Sequence, residues 1–113
     1  MPQEQEKQTT EKPLDEKLRN LLIEMKDWER KPVLKVGKIV IELVKLPRRE
    51  LKKRTEPEKL ALHIRLEDSF KGIFIEDYRE LEDLITAVSE EKITEIAKIL
   101  DTINRKRIIE YEL

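Results

Sequence analysis

From Leu60 to Glu67 the chain alternates large aliphatic side chains with small or polar ones, without a break. A period of two puts every second side chain on the same side of an extended backbone, so these eight residues commit to a strand. One of its faces is aliphatic (Leu60, Leu62, Ile64, Leu66) and is the expected core face; the other is polar (Ala61, His63, Arg65, Glu67). Such a strand needs partners, and the sequence offers them on both sides. Val33 to Leu46 is rich in β-branched residues, interrupted at Gly37, where a bulge or bend is expected, and reads as a long or broken strand. Ile39, Ile41 and Leu43 share one of its faces and Val40, Val44 and Leu46 the other, so both faces call for cover. Downstream, Lys71-Gly72 turns the chain into a short strand, Ile73 to Ile75. The charged stretch between Pro47 and Pro57 has no periodicity and reads as a loop. The expected sheet is an antiparallel meander of three to four strands.

Helical spacing flanks this sheet. Leu14, Leu18, Leu21, Leu22, Met25 and Trp28 recur at intervals that predict an amphipathic helix starting at Pro13 and ending before Pro32. Ahead of it, residues 1–12 carry Met1 as their one apolar side chain and are expected to form a disordered polar arm. After the short strand, Asp77 suits a helix cap, and Tyr78, Leu81, Leu84, Ile85 and Val88 follow at helical spacing. The step of five from Val88 to Ile93 breaks the phase, which predicts two coupled helices with Ser89 capping the second. Ile93, Ile96, Leu100 and Ile103 then form a 3-4-3 seam of coiled-coil type, a candidate oligomer interface within a segment of about 90–107. Ile108 to Leu113 admits either a helical extension or an edge strand. The fold class is therefore α+β: a sheet packed against an N-terminal helix and C-terminal helices, in a single domain over 13–113.

Composition then removes whole classes of chemistry. Cysteine is absent, so disulfides, thiolate nucleophiles and cysteine-ligated zinc cannot occur, which suits a reducing cytosol. His63 is the lone histidine, expected to be solvated or hydrogen-bonded, and with only Gly37 and Gly72 there is no glycine-rich phosphate loop. Adjacent acids such as Glu67-Asp68 are commonplace in a chain that is 43% charged, so neither a metal nor another cofactor is expected, and no enzymatic activity. The start of the chain lacks the apolar segment of an export signal, and no run is long enough to span a membrane. A soluble cytoplasmic protein is the expectation, and the wealth of Glu, Lys and Arg points to a heat-loving source.

The net charge is −1, but it is unevenly spread. Between Lys31 and Lys59 ten Lys and Arg stand against four acids, and between Glu76 and Asp101 nine acids stand against three bases. Lys35, Lys38, Arg48, Arg49, Lys52, Lys53, Arg54, Arg65 and Lys71 come from neighbouring strands and their connections, and a meander would gather them around one sheet surface. With exposed aromatics such a surface is a platform for single-stranded nucleic acid: cations track the phosphates and bases stack on rings. Trp28, Phe70 and Phe74 are the candidates, although Phe74 suits a core equally well and Trp28 suits a core or an interface.

Val36-Gly37-Lys38-Ile39, Leu60 to Leu66, and Lys71-Gly72-Ile73-Phe74-Ile75 followed by Tyr78-Arg79-Glu80-Leu81 form a pattern. In this order it resembles the single-stranded DNA-binding domains of the transcriptional positive-coactivator and Whirly type. With a helix added in front and a longer helical end, it is similar to the archaeal ThermoDBP group. The resemblance covers roughly residues 33–88. It implies a curved antiparallel sheet backed by helices, sequence-independent binding of single-stranded DNA in a basic and apolar groove, and homodimers or higher homo-oligomers made through the helices. Lys38, Arg65 and Lys71 match the family positions best; Tyr78 stands where the coactivator domains usually carry a tryptophan. RNA binding, or a protein-interaction and assembly module with no nucleic acid at all, are the alternatives.

Overall fold

The computed structural model describes the backbone of residues 2–106 and the side chains of 13–105; the tail 108–113 lies outside the described residues. It contains helix α1 (Pro2–Glu24), strands β1 (Arg30–Val36), β2 (Ile39–Leu46), β3 (Arg49–Glu50), β4 (Thr55–Glu56), β5 (Lys59–Leu66) and β6 (Gly72–Ile75), and helices α2 (Tyr78–Val88) and α3 (Glu91–Lys106). The class is α+β, as expected. The contacts divide the chain between Glu76 and Asp77 into a sheet-bearing unit and a helical unit.

In the first unit, β1-β2-β5-β6 form one antiparallel sheet in that order, a four-stranded meander. The broken strand is a hairpin: Val36 pairs with Ile39 across the two-residue turn Gly37-Lys38, and Gly37 supplies the positive φ of 57° that such a turn requires. Of the bulge or bend expected at Gly37, this turn is the bend; a bulge lies elsewhere, at Val33, where the register shifts between Pro32 and Leu34. Pro32 is tolerated there because β1 is an edge strand and need not donate on its outer side. The segment 47–57 is more than a loop, since β3 and β4 pair as a small second hairpin between β2 and β5. Leu51 N–H closes that hairpin on Arg54 O at 2.8 Å.

α1 begins at Pro2, not Pro13, so the backbone is helical across 2–12, where a disordered arm is the sequence expectation. Glu, Gln and Lys dominate there, and these straight-chain residues favour helix in the absence of any packing. At its other end the helix stops at Glu24, well short of Trp28. Lys45 accounts for the stop: its ammonium, on the otherwise aliphatic side of β2, hydrogen-bonds the carbonyls of Leu22 and Met25. A buried cation at a helix C-terminus satisfies free carbonyls and complements the dipole. Glu29 then reverses the chain, its carboxylate accepting from Lys26 N–H at 2.9 Å. Met25 is buried, and among the described residues the other buried apolar side chains are Val44, Ala61 and Ile75.

The register assigns each side chain to a face. Ile39, Ile41 and Leu43 share one with Leu62, Ile64, Leu66, Ile73 and Ile75; Glu42 and Val44 share the other with Ala61, His63, Arg65 and Phe74. The aliphatic face was expected to be the core, yet its outer part is open: Leu34, Val36, Ile39, Leu66 and Ile73 are all exposed. The centre of the polar face is buried instead, with His63 only 1% accessible. Side chains from β1, β6 and the turn before β1 fold over it, which no single-strand pattern could reveal.

In the second unit, Asp77 caps α2 as expected, its carboxylate accepting from Glu80 N–H at 2.8 Å. Two helices follow, but Ser89 closes α2, donating its N–H to Ile85 O, and does not open α3. Ile93, Ile96, Leu100 and Ile103 lie about half exposed along α3.

Candidate nucleic-acid interface

Glu42 is the hub of the polar face. Its carboxylate accepts from Arg30 at 2.6 Å, from Arg65 Nε at 3.0 Å, and meets His63 Nδ1 at 3.0 Å. Burial pushes this carboxyl up, but hydrogen bonds from Arg65, His63 and Arg30 outweigh it and hold the pKa at about 2. One carboxylate facing two guanidinium groups leaves the centre of the face with an excess of positive charge at neutral pH. Arg65 also donates to the carbonyls of Leu66, Glu67 and Ser69, tying the β5–β6 turn to the same hub. Among the described residues no buried side-chain polar atom lacks a partner. A fully satisfied buried network of this kind is rigid. Gly72 makes room for it: a Cβ there would stand 2.2 Å from Ile64 O and 2.9 Å from both Arg65 Cβ and His63 Nε2.

Rings line the same face. Phe74 stacks on His63 with centroids 4.6 Å apart, and Trp28 meets Phe74 edge-on at 6.4 Å. Arg65 places its guanidinium 5.9 Å from the centre of the Phe70 ring. Trp28 precedes β1 while Phe74 belongs to β6, the opposite edge of the sheet, roughly 14 Å away at ordinary strand spacing. The two side chains therefore reach toward each other across this side of the sheet. All three aromatics singled out in the sequence converge here, and none is core: Trp28 is 56%, Phe70 81% and Phe74 39% exposed.

The predicted cations divide into groups. Lys35 and Arg65 lie on the polar face by register, opposite and beside Val40. Lys38 sits in the β1–β2 turn and Lys71 just ahead of β6. Arg48, Arg49, Lys52, Lys53 and Arg54 belong to the β3–β4 hairpin and its flanks, beyond the far end of β2, whose eight residues span about 26 Å. They are thus not one patch but two clusters, one at either end of the ring-lined face. Several are neutralised locally: Lys35 by Glu67 at 2.7 Å, Arg48 by Glu50 at 3.5 Å and Arg54 by Glu56 at 3.3 Å. Among the described residues no ion pair engages Lys38, Arg49, Lys52, Lys53 or Lys71. Arg30, Glu42 and Lys59 escaped the sequence reading, although Glu42 is conspicuous in the sequence as the one acid inside an apolar strand.

Between the hairpin and the sheet lies a cleft of about 230 Å³, lined by Trp28, Phe74, Leu46, Pro47 and Pro57, with Arg49, Lys59, Glu56 and Glu76 completing the lining. Lys59 pairs with Glu76 at 2.5 Å. Among the described residues no cluster of acids and histidine could hold a metal ion, and no helix is long and apolar enough to cross a membrane.

No protein-family model, curated protein or solved structure matches the chain. The resemblance to the coactivator, Whirly and ThermoDBP domains therefore rests on its motifs alone.

Proposed function

We propose that the ring-lined polar face binds single-stranded DNA without strong sequence preference, as in the ThermoDBP-like domains whose motifs the chain resembles. The observation that carries this reading is the placement of the rings. Folding normally sends aromatic side chains into the core, where their large area is worth most. Here the buried apolar residues are Met25, Val44, Ala61 and Ile75, while Trp28, Phe70 and Phe74 stay accessible on one side, flanked by cations. Bases stack on such rings at about 1–3 kcal/mol each, whatever their identity. Phosphates are met by Lys38 and Lys71 at one end and by Arg49, Lys52 and Lys53 at the other. The exposed pairs of Lys35, Arg48 and Arg54 are weak enough, at about 1 kcal/mol or less, for a phosphate to replace the carboxylate.

Fluorescence anisotropy on oligo-dT tests the reading. Log affinity falls linearly with log salt, by about 0.7 for each phosphate contact. Reversing the charges of Arg48, Arg49, Lys52, Lys53 and Arg54 abolishes the signal. Absence of binding at low salt refutes the proposal, and competition by oligoribonucleotides decides between DNA and RNA.

A second reading, assembly, is favoured by a separate observation. The half-open aliphatic side of the sheet and, separately, the Ile93-Ile96-Leu100-Ile103 seam each expose apolar side chains of the kind that mark interfaces. A homodimer or higher homo-oligomer follows, and light scattering that finds a monomer at high concentration rules it out. The same reading sets the protein to work in the cytoplasm of a heat-loving archaeon, where its charge-rich surface favours stability.

A further inference from the structure

The cleft beneath Trp28 differs from the rest of the polar face, because it is a pocket and not a platform. We propose that it seats one unstacked nucleobase and holds that nucleotide's phosphate at Arg49 on its rim, so that strand binding has an anchored residue; this rests on the nucleic-acid reading above.

Trp28 supplies the first argument. It is the one described non-glycine residue with positive φ, at 68°. For a bulky L-residue that conformation is strained, and glycine or asparagine would adopt it more readily. The indole recovers little of this through burial, being 56% exposed. A strained backbone that presents an accessible ring at a cleft is the pattern of a ligand contact. The strain is locked in from both sides, by the Trp28 N–H bond to Lys45 O at 2.7 Å and by the edge contact with Phe74.

Shape and charge supply the second. At about 230 Å³ the cleft accommodates a single flat heterocycle and has no room for a stack of them. Its walls are two rings set at 61° to each other, together with Pro47, Pro57 and Leu46. A base can lie flat against one ring and meet the edge of the other, with a proline on its far side. At the rim, Arg49 lies close enough to Lys59 for its charge to oppose the Lys59 charge, although Glu76 prevails and holds the lysine's pKa up. Two acids share the rim, Glu76 paired with Lys59 and Glu56 with Arg54, which leaves Arg49, without an ion pair among the described residues, as the cation that can meet an anion. An apolar slot with an arginine free of ion pairs at its lip matches a nucleoside phosphate, and an aliphatic peptide would leave that arginine unused.

Trp28 is the chain's single tryptophan, so its emission reports on the cleft directly. The experiment titrates the full chain with nucleoside monophosphates, with ribose 5-phosphate, with a dT octamer and with the corresponding all-abasic octamer. The expected result is saturable quenching by the monophosphates and by the dT octamer. Ribose 5-phosphate produces none, and the abasic octamer binds at least tenfold more weakly than dT. Arg49→Ala weakens the monophosphates by about tenfold at an unchanged unfolding midpoint. If dT and abasic octamers bind alike, or dT binds without altering Trp28 emission, the pocket is overturned and the platform reading survives. If monophosphates quench but no oligomer binds, the pocket stands and strand binding is overturned. Silence from every ligand overturns both.

Discussion

The two sides of the four-stranded sheet invert the usual relation between polarity and burial. The aliphatic side holds Ile39, Ile41, Leu43, Leu62, Ile64 and Leu66, yet Ile39 and Leu66 are 41% and 50% exposed. The polar side holds a carboxylate, a histidine and two arginines, yet Glu42 and His63 are among the least accessible residues of the chain. What this teaches is that the two sides are built for different tasks. A buried ionic hub is poor value as stability, since apolar residues of similar volume often serve as well or better. It does fix Arg30, Arg65, His63 and Phe74 in one arrangement. Apart from Lys45, which holds the end of α1, the aliphatic side makes no such arrangement and offers area.

Removing the hub is the harshest way to break this contrast. Glu42→Ala leaves Arg30 and Arg65 facing each other without a counter-ion, and the loss of stability is about 3 kcal/mol, read from urea unfolding midpoints. If the variant unfolds like the parent, the hub is ornamental and the comparison fails. Acid titration probes the same group more gently. The folded pKa of Glu42, about 2, lies below its ordinary value of 4.5, so its contribution is fully present above pH 4.5 and disappears as pH falls toward 2. This part of the acid sensitivity amounts to about 3 kcal/mol at most, and Glu42→Gln abolishes it.

Gly72→Ala sharpens the comparison on the polar side. The added carbon meets the backbone oxygen of Ile64, which cannot step aside, and the expected cost is roughly 1–3 kcal/mol. Trp28→Gly separates stability from function: relief of positive φ offsets the lost ring contact, so the unfolding free energy changes by about 1 kcal/mol or less, while oligo-dT affinity falls at least tenfold. A variant that loses stability but keeps its affinity contradicts the role given to the ring. The smallest effect belongs to the aliphatic side. Leu66→Ser changes the stability of the monomer by about 0.5 kcal/mol and leaves DNA affinity intact, but shifts any self-association toward monomer in analytical ultracentrifugation.

Much of the fold was legible from local pattern. The β5 strand, the short β6 strand, the Asp77 cap and the break between Val88 and Ile93 all follow from interactions within a few residues, which is why periodicity and capping chemistry locate them. The errors have a common origin. The end of α1 depends on Lys45, some twenty residues away, and the small β3–β4 hairpin depends on the sheet that holds its ends together. The site was half legible. Trp28, Phe70, Phe74 and Arg65 could be named from type and position, whereas Arg30 and Lys59 carry no signal of their own.

By itself, the order of residues determined that β5 has one aliphatic and one polar side, because alternation is a property of the extended backbone alone. Which side would be covered was decided only in three dimensions. Burial depends on what the rest of the chain lays over a surface, and here Arg30 and Phe74, distant along the chain, close over Glu42 and His63 while Leu34, Ile39 and Leu66 stay open.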